Sequence, residues 1–147
     1  MVLTSKNIIE ELEKKGSFSE LLRIEDFAEE KKVADQLARE FRKSLKPTQL
    51  RRIFHAIKEV ERNLKEVTKD DDKKELTSQN RSRIFRLLPE LAYARGRLLI
   101  PQKFYRLMRI SLGTEKLKTV KDLRVFIEFL TAMLAYHKYH EKEGGKL

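Results

Sequence analysis

The sequence predicts an all-α protein, folded as a compact bundle of five to six helices with one acidic mobile loop. Its 147 residues include only five glycines and three prolines, and 38% of them are charged, a composition typical of helical proteins. Apolar residues recur every three or four positions along most of the chain, with few strand-like alternations. A chain of this length buries roughly 70% of its unfolded surface, so residues 1–147 are expected to form a single domain.

The first 46 residues contain signals for three helices. Thr4 and Ser5 are N-cap residue types, and Gly16 is a suitable end for the first helix. Ser17 and Glu20 then have the spacing of a capping box, and a helical apolar stripe follows them. These signals predict a first helix before Gly16, then one short and one longer helix.

The segment from Thr48 to Lys65 predicts a long helix, because its apolar residues step by three or four positions. Pro47 disfavours helix at the residue before it, which places a boundary there. Residues 68–79 follow, with no large apolar residue before Leu76, and are predicted to be an exposed linker within the domain. The aspartates of this linker lack the glycine-turned loop of a calcium site, so no metal is expected there.

Three further segments have helical spacing. The first continues through Pro89, which predicts a kink or a break there, and it is expected to end at Gly96. The second is expected to end just before Gly113. The last helix has the clearest pattern, since Thr119 and Asp122 have capping-box spacing. Its apolar repeat continues to the glycines near the C-terminus, which predicts a length of roughly 35 Å.

Several classes of enzyme lack their essential residues here. The chain has no cysteine, which excludes disulfides, thiolate zinc sites and cysteine nucleophiles. Its glycines form no phosphate-binding cluster, and no G-x-S-x-G motif accompanies the three histidines. We therefore expect a protein that is not an enzyme, with no catalytic residue, no metal and no cofactor.

His137 and His140 are the one pair with metal-ligand spacing, since i and i+3 share a helix face. A structural role is favoured, because His137 extends the apolar seam of the last helix. Histidine near a helix C-terminus also interacts favourably with the helix dipole.

No apolar run approaches the roughly 18 residues of a membrane span, and the first residues lack the apolar core of a signal peptide. Small secreted proteins are usually stabilised by disulfides, and this chain has no cysteine. We expect a cytoplasmic protein with no membrane partner.

The whole chain has a formal net charge of +10. The positive charge is concentrated in its C-terminal half. Residues 1–46 carry ten basic and ten acidic residues, whereas residues 80–110 carry eight basic residues, seven of them arginine, against Glu90 alone. Guanidinium groups bind phosphate in a bidentate manner and are weakly hydrated. The excess therefore favours a polyanionic partner over a merely solvated surface.

The helix predicted from Thr48 carries a line of basic residues spaced by four, three, four and three positions: Arg51, His55, Lys58, Arg62, Lys65. The line spans roughly 20 Å and suits the phosphates of a nucleic-acid backbone. An ordinary solvated helix face with neighbouring glutamates is an equal alternative. Tyr93 and Tyr105 lie in the second basic segment and are expected to be half-buried core, with base stacking as the alternative.

Three short segments occur in the order and spacing of one family. They are Thr48-Gln49-Leu50-Arg51-Arg52-Ile53-Phe54, Leu91-Ala92-Tyr93-Ala94-Arg95-Gly96-Arg97 and Ala135-Tyr136-His137-Lys138-Tyr139. Together they resemble the small subunit of type III-A (Csm) CRISPR RNA-guided interference complexes, over roughly residues 45 to 140. The sequence departs from the family pattern at Pro47, where a second hydroxyl residue is common, and at Thr131, where glutamate is frequent.

The resemblance implies a non-catalytic helical subunit that repeats along the complex and holds crRNA and target RNA by their backbone, for antiviral defence. Other subunits of the Csm complex are implied as partners. The apolar face of the last helix is compatible with packing within one chain or across a dimer, so self-association stays open. Base pairing supplies specificity in guide-directed recognition, so phosphate contacts suffice for the protein. Arg51 and Arg97 lie in matched motifs and are the best candidate RNA contacts. Second choices, by proximity and charge, are Arg52, Lys58, Arg95 and Lys138.

Two other functions stay open at this point: a helical DNA-binding protein and a helical protein-interaction module without nucleic acid. The line of basic residues lacks the interleaved Asn or Gln that favours base reading. Salt dependence separates the three. If about five phosphates are neutralised, log affinity for single-stranded RNA falls with log salt at a slope near −3.5, whatever the sequence.

Overall fold

In a computed structural model, residues 2–64 and 72–145 are described, with side chains as far as Glu141. These residues form nine α-helices and no β-strand: α1 (Ile8–Glu13), α2 (Phe18–Leu21), α3 (Ile24–Phe27), α4 (Val33–Phe41), α5 (Pro47–Leu64), α6 (Ser78–Phe85), α7 (Leu87–Gly96), α8 (Gln102–Ser111) and α9 (Val120–Gly145). The all-α prediction is confirmed. The number of helices exceeds the predicted five to six, mainly because the first 46 residues form four.

The last helix, α9, is the centre of the fold. It is 26 residues long, or about 39 Å at the α-helical rise. Helices α2, α3, α4 and α5 all pack against it, α4 and α5 most extensively. On the outside, α1 packs against α8, α7 packs against α8, and α6 connects α5 to α7.

Phenylalanine side chains fill the space between the N-terminal helices and α9. Phe18 packs edge-to-face on Phe126, with ring centroids 5.3 Å apart, and Phe27 packs on Phe129 at 5.4 Å. All four rings are fully buried. Edge-to-face pairs contribute about 0.5–1.5 kcal/mol beyond area burial, so these contacts fix α2 and α3 on the central helix.

Polar side chains divide the first 46 residues into more helices than periodicity predicts. The capping box at Ser17 is confirmed, since its backbone N–H donates to Glu20 Oε1 at 2.8 Å. The predicted longer helix is interrupted before α4, where Lys31 has a left-handed φ of 70°. Its N–H donates to Asp35 Oδ2 at 2.6 Å, which holds the turn.

The break predicted at Pro89 falls earlier, at Arg86, between α6 and α7. Pro89 is therefore the third residue of α7. In the first turn of a helix the backbone N–H has no intrahelical acceptor, so proline costs no hydrogen bond there. The helix ends predicted at Gly96 and near Gly113 agree with the ends of α7 and α8.

The linker predicted over residues 68–79 is described only from residue 72 onward. The N–H of Leu76 donates to Lys118 O at 2.9 Å, and the N–H of Val120 donates to Lys74 O at 2.9 Å. Leu76 is buried, and α6 begins at Ser78. Residues 73–75 and 77–79 are exposed, so Leu76 is the one buried side chain of this stretch, and residues 68–71 lie outside the described part.

The capping box predicted for the last helix is confirmed. Asp122 Oδ2 accepts from the Thr119 N–H at 3.0 Å, and the Asp122 N–H donates to Thr119 Oγ1 at 3.2 Å. The same carboxylate accepts from the N–H of Ser19 at 2.9 Å and from its hydroxyl, which ties α2 to the start of α9. Burial by itself would raise the pKa of Asp122, but the hydrogen bonds from Ser19 and Thr119 hold it below its ordinary value.

Both C-terminal histidines are buried and have structural partners, as predicted. His137 Nε2 donates to Leu45 O at 2.8 Å, and His140 Nε2 is hydrogen-bonded to Asp35 on α4. The two imidazoles therefore bind separate protein groups rather than a shared metal. Burial opposes ionisation of Asp35, but the hydrogen bonds from His140 and from the Lys31 N–H lower its pKa.

One lysine is also buried between the N- and C-terminal parts of the chain. Lys116 is 4% exposed, and its Nζ donates to Lys14 O and Gly16 O at 2.9 Å each. Backbone carbonyls after a helix end lack intrahelical donors, so the ammonium group satisfies two of them after α1.

Candidate nucleic-acid interface

The six predicted RNA-binding residues do not form one cluster. Arg51 and Arg52 are consecutive exposed residues near the start of α5, so their side chains leave the helix about 100° apart. Arg97 is the residue after α7, and Lys138 lies on α9. The structure brings these four residues together in two pairs, one on each side of the start of α5.

The first pair, Arg51 and Lys138, lies in what we term the α5–α9 groove, a largely apolar depression of about 290 Å³ between these helices. The Lys138 Nζ is 4.0 Å from Glu141 Oε1, a long and exposed ion pair. Exposed pairs of this kind contribute about 0–1 kcal/mol, so Lys138 is easily released to an anion. Both departures from the family pattern, Pro47 and Thr131, line the same groove.

The second pair, Arg52 and Arg97, lies in what we term the α5–α7 cavity, with a volume of about 410 Å³. Its other lining residues are mostly apolar and include Ile53, Leu91 and Leu99. The two residues that lie in matched motifs, Arg51 and Arg97, therefore line different depressions.

Tyr93 is not the half-buried core residue that was expected. It lies on α7 at the mouth of the α5–α7 cavity with 66% of its surface exposed. The Arg97 Cζ is 5.8 Å from the centre of its ring, within cation–π distance. Tyr105 is half-buried as expected, and Arg109 lies over its ring at 5.5 Å.

Arg95 has structural partners that its sequence neighbourhood did not reveal. Its Nε donates to Gln102 Oε1 at 2.9 Å, and its Nη1 donates to Ile100 O at 2.9 Å. The guanidinium group thereby braces the turn between α7 and α8, in which Leu98 has a left-handed φ of 60°. These contacts account for Arg95 without any ligand.

The basic line on α5 faces solvent as predicted, although glutamates neutralise two of its members. Lys58 Nζ is 2.7 Å from Glu61 Oε1, and Arg62 Nη1 is 2.6 Å from Glu59 Oε1. His55 is exposed, and Lys65 lies outside the described residues. Arg51 and His55 are the members of this line that have no ion-pair partner within the described part of the chain.

Part of the basic excess in residues 80–110 holds the fold together. Lys103 Nζ is 2.9 Å from Glu40 Oε1, and Arg106 lies 3.7 Å from Glu13. Arg81 donates to the backbone carbonyls of Leu76 and Lys118. The net charge of this segment therefore overstates the number of cations available for a ligand.

Sequence reasoning missed Gln49 beside the second pair, and it gave stacking by Tyr93 only as the alternative to half-buried core. Gln49 lines the α5–α7 cavity together with Tyr93, on the opposite wall. A signal was present for Tyr93: it precedes Arg97 by four residues, the spacing at which side chains meet on a helix. No such local signal places Gln49 beside α7.

None of the helices in residues 2–64 and 72–145 is long and apolar enough to cross a membrane. Within the same ranges, no group of three or more histidines and carboxylates has the proximity needed to hold a metal ion.

Comparison with known proteins identifies the family. The family described as Csm2 Type III-A matches residues 24–143, which is most of the chain and extends well beyond the three motifs. No curated protein and no solved structure gives a match. Membership implies association with the other subunits of a Csm complex. The chain therefore belongs to the Csm2 family, the small subunit of type III-A CRISPR complexes.

Proposed function

We propose that this protein is a non-catalytic RNA-binding subunit that contacts the backbone of crRNA and target RNA across the start of α5. It acts in the cytoplasm as part of the assembled complex, as a single folded domain. The observation that carries the proposal is the pairing of exposed cations on both sides of one helix turn: Arg51 with Lys138, and Arg52 with Arg97.

The charges at this turn favour a phosphate backbone. The first turn of α5 contains no acidic residue. Arg51, Arg52 and Arg97 are exposed and have no ion-pair partner within residues 2–64 and 72–141. Arginine forms bidentate hydrogen bonds with phosphate oxygens, and such contacts bind without reading the bases.

The histidines support the non-catalytic part of the proposal. His137 and His140 are buried and hydrogen-bonded to Leu45 O and Asp35, so neither reaches a bound RNA as a general base. His55 is exposed on α5, with Phe54 as its aromatic neighbour. We expect the full chain to leave labelled RNA uncleaved with and without magnesium, as assayed on denaturing gels, and cleavage that disappears in His55→Ala would overturn this part.

Salt titration of RNA binding tests the proposal. Single-stranded RNAs of unrelated sequence, RNA duplexes and DNA duplexes are titrated with the full chain at several salt concentrations. We expect sequence-independent RNA binding that weakens steeply with salt. Arg51→Ala and Arg97→Ala are each expected to weaken binding, and to reduce the single-strand salt slope by about 0.7, without lowering the melting temperature.

Arg62→Ala is the matched control, because Arg62 is an exposed arginine on the same helix that is already paired with Glu59. Its removal is expected to leave the salt slope unchanged. Equal loss of melting temperature and binding in the Arg51 and Arg97 variants would show that these arginines are structural. Preference for one DNA duplex over a scrambled competitor would favour the DNA-binding alternative, and absence of binding to any nucleic acid would overturn the proposal.

A further inference from the structure

The α5–α7 cavity has features that a phosphate-binding surface does not need. It encloses about 410 Å³, within the range of roughly 300–1,000 Å³ typical of small-molecule sites. Its floor is formed by apolar side chains, among them Ile53, Leu87, Leu91 and Leu99. A phosphate remains hydrated and gains nothing from an apolar floor, whereas a planar heterocycle buries its faces there.

An exposed aromatic ring stands at the mouth of this cavity. Tyr93 is the most exposed aromatic side chain among the described residues, at 66%. Aromatic rings normally bury much of their surface, so this exposed ring beside a cavity is a candidate stacking surface for a ligand. The cation–π contact places the Arg97 guanidinium group over this ring, which is 66% exposed.

The polar groups at the rim determine how a nucleotide would lie. Arg52 and Arg97 attract phosphates, whereas the carboxylate of Glu90 repels them. A carboxylate accepts hydrogen bonds from the amino group of a base, and the Gln49 amide both donates and accepts. Neither Glu90 nor Gln49 forms a side-chain hydrogen bond within the described part of the chain, so both groups are available.

The α5–α9 groove provides an internal comparison. It also pairs two cations across an apolar surface, but no aromatic side chain other than buried His137 lines it. The groove therefore suits the backbone alone, and the α5–α7 cavity suits a base together with its backbone.

We propose that the α5–α7 cavity receives one unstacked RNA base, which stacks on Tyr93 while its flanking phosphates bind Arg52 and Arg97. This inference rests on the proposed RNA-binding function and narrows its substrate to RNA that can present an unpaired base. Stacking on an aromatic ring is tolerant of sequence, because every base has a π-face.

Fluorescence gives a direct test, because the chain contains no tryptophan. Tyr93→Trp keeps an aromatic face and introduces a single fluorophore at the cavity. We expect its emission to be quenched by single-stranded RNA, and to change little with an abasic RNA of the same length. Anisotropy of labelled RNA reports binding separately from stacking, and the abasic RNA is expected to bind through its phosphates.

Substitution at the same position gives the second readout. Tyr93→Ala is expected to weaken single-stranded RNA binding about 5- to 150-fold, the range for loss of one stacked base, with little effect on a fully paired duplex. Tyr93→Phe is expected to bind like the unmodified chain. Tyr139→Ala is the matched control, since Tyr139 is a 51% exposed tyrosine that lines neither depression.

The outcomes separate this inference from the function on which it rests. Salt-dependent RNA binding without tryptophan quenching, and with Tyr93→Ala unimpaired, would overturn base capture and leave backbone binding intact. Equal quenching by intact and abasic RNA would likewise overturn it. Absence of RNA binding by the unmodified chain would overturn both proposals.

Discussion

The N-terminal helices and the start of α5 use charged side chains in opposite ways. Where α1–α4 meet the C-terminal part of the chain, the charges are buried and bound to protein groups, as for Asp35, Lys116 and Asp122. At the start of α5 and the end of α7, the guanidinium groups are exposed to solvent. The charges between the N-terminal helices and the C-terminal part of the chain therefore stabilise the fold, whereas Arg51, Arg52 and Arg97 have no ion-pair partner within the described residues.

Among the changes that test this difference, Asp122→Ala is expected to lower the free energy of unfolding most. The buried carboxylate accepts hydrogen bonds from Ser19, Lys118 and Thr119, and its loss leaves their donors without an acceptor. Loss of a helix cap and of buried hydrogen bonds predicts a decrease of about 3 kcal/mol in the free energy of unfolding. Urea denaturation measures it.

The RNA affinity of Asp122→Ala, measured at a temperature where the variant is folded, is expected to equal that of the unmodified chain. A decrease below about 1 kcal/mol would mean that Ser19 and Thr119 find other acceptors. A selective loss of RNA binding would break the division between the two regions.

The second-largest loss of stability is expected from acid, which protonates the buried carboxylates of Asp35 and Asp122. The ordinary pKa of an aspartate is 3.8, and those of Asp35 and Asp122 are lower in the folded protein. Both carboxylates therefore contribute stability above the ordinary pKa, and this contribution is lost as the pH falls through their lower folded values. Denaturant unfolding between pH 6 and pH 2 follows this loss.

Asp35→Asn is the control for the acid prediction, because it cannot titrate at this position. The variant is expected to be less stable at pH 6 and to lose less stability than the unmodified chain on acidification. Parallel curves for the two proteins would show that Asp35 does not carry the pH dependence.

A smaller loss is expected from Tyr136→Phe. The Tyr136 hydroxyl donates to Ala28 O at 2.7 Å, which joins α9 to the end of α3. Removing one hydrogen bond of this kind predicts a loss of about 1 kcal/mol. Urea denaturation checks it, and an unchanged midpoint would show that water replaces the hydroxyl without cost.

The smallest effect is expected on the exposed side, from Gly96→Ala. Gly96 is the last residue of α7, its φ is not positive, and a Cβ built there meets no atom within 4 Å. Alanine loses less backbone conformational entropy on folding than glycine does, which predicts a gain of about 0.5 kcal/mol in the free energy of unfolding. A raised melting temperature with unchanged RNA affinity is expected, and a decrease in melting temperature would show that this helix end requires glycine.

The elements that sequence predicted best depend on neighbouring residues. The repeats of α5 and α9, and the capping boxes at Ser17 and Thr119, involve positions three or four residues apart. The division of the first 46 residues depends on distant ones. The Lys31 N–H donates to the carboxylate of Asp35, which is also hydrogen-bonded to His140, 105 residues further along the chain. A local pattern carries no information about such a partner.

The neighbours of the candidate RNA-binding residues also depend on parts of the chain that are distant in sequence. Helical spacing predicted that Arg51 is exposed, and the adjacent Arg52 necessarily leaves the helix in another direction. Which helix lies beside each arginine depends on packing, so the pairs with Lys138 and Arg97 were not predictable. The contact of Arg95 with Gln102 and the exposure of Tyr93 beside the cavity also depend on packing, so neither was predictable from the sequence.

The central position of α9 has a consequence for biosynthesis. Ser19 and Tyr136 form hydrogen bonds that span 103 and 108 residues of chain. A ribosome that adds about 5–20 residues per second needs roughly 5–20 s to make such a stretch. During that interval Phe18 and Phe27 lack Phe126 and Phe129, the rings of α9 on which they pack edge-to-face. The N-terminal helices can therefore complete their packing only after α9 has been synthesised.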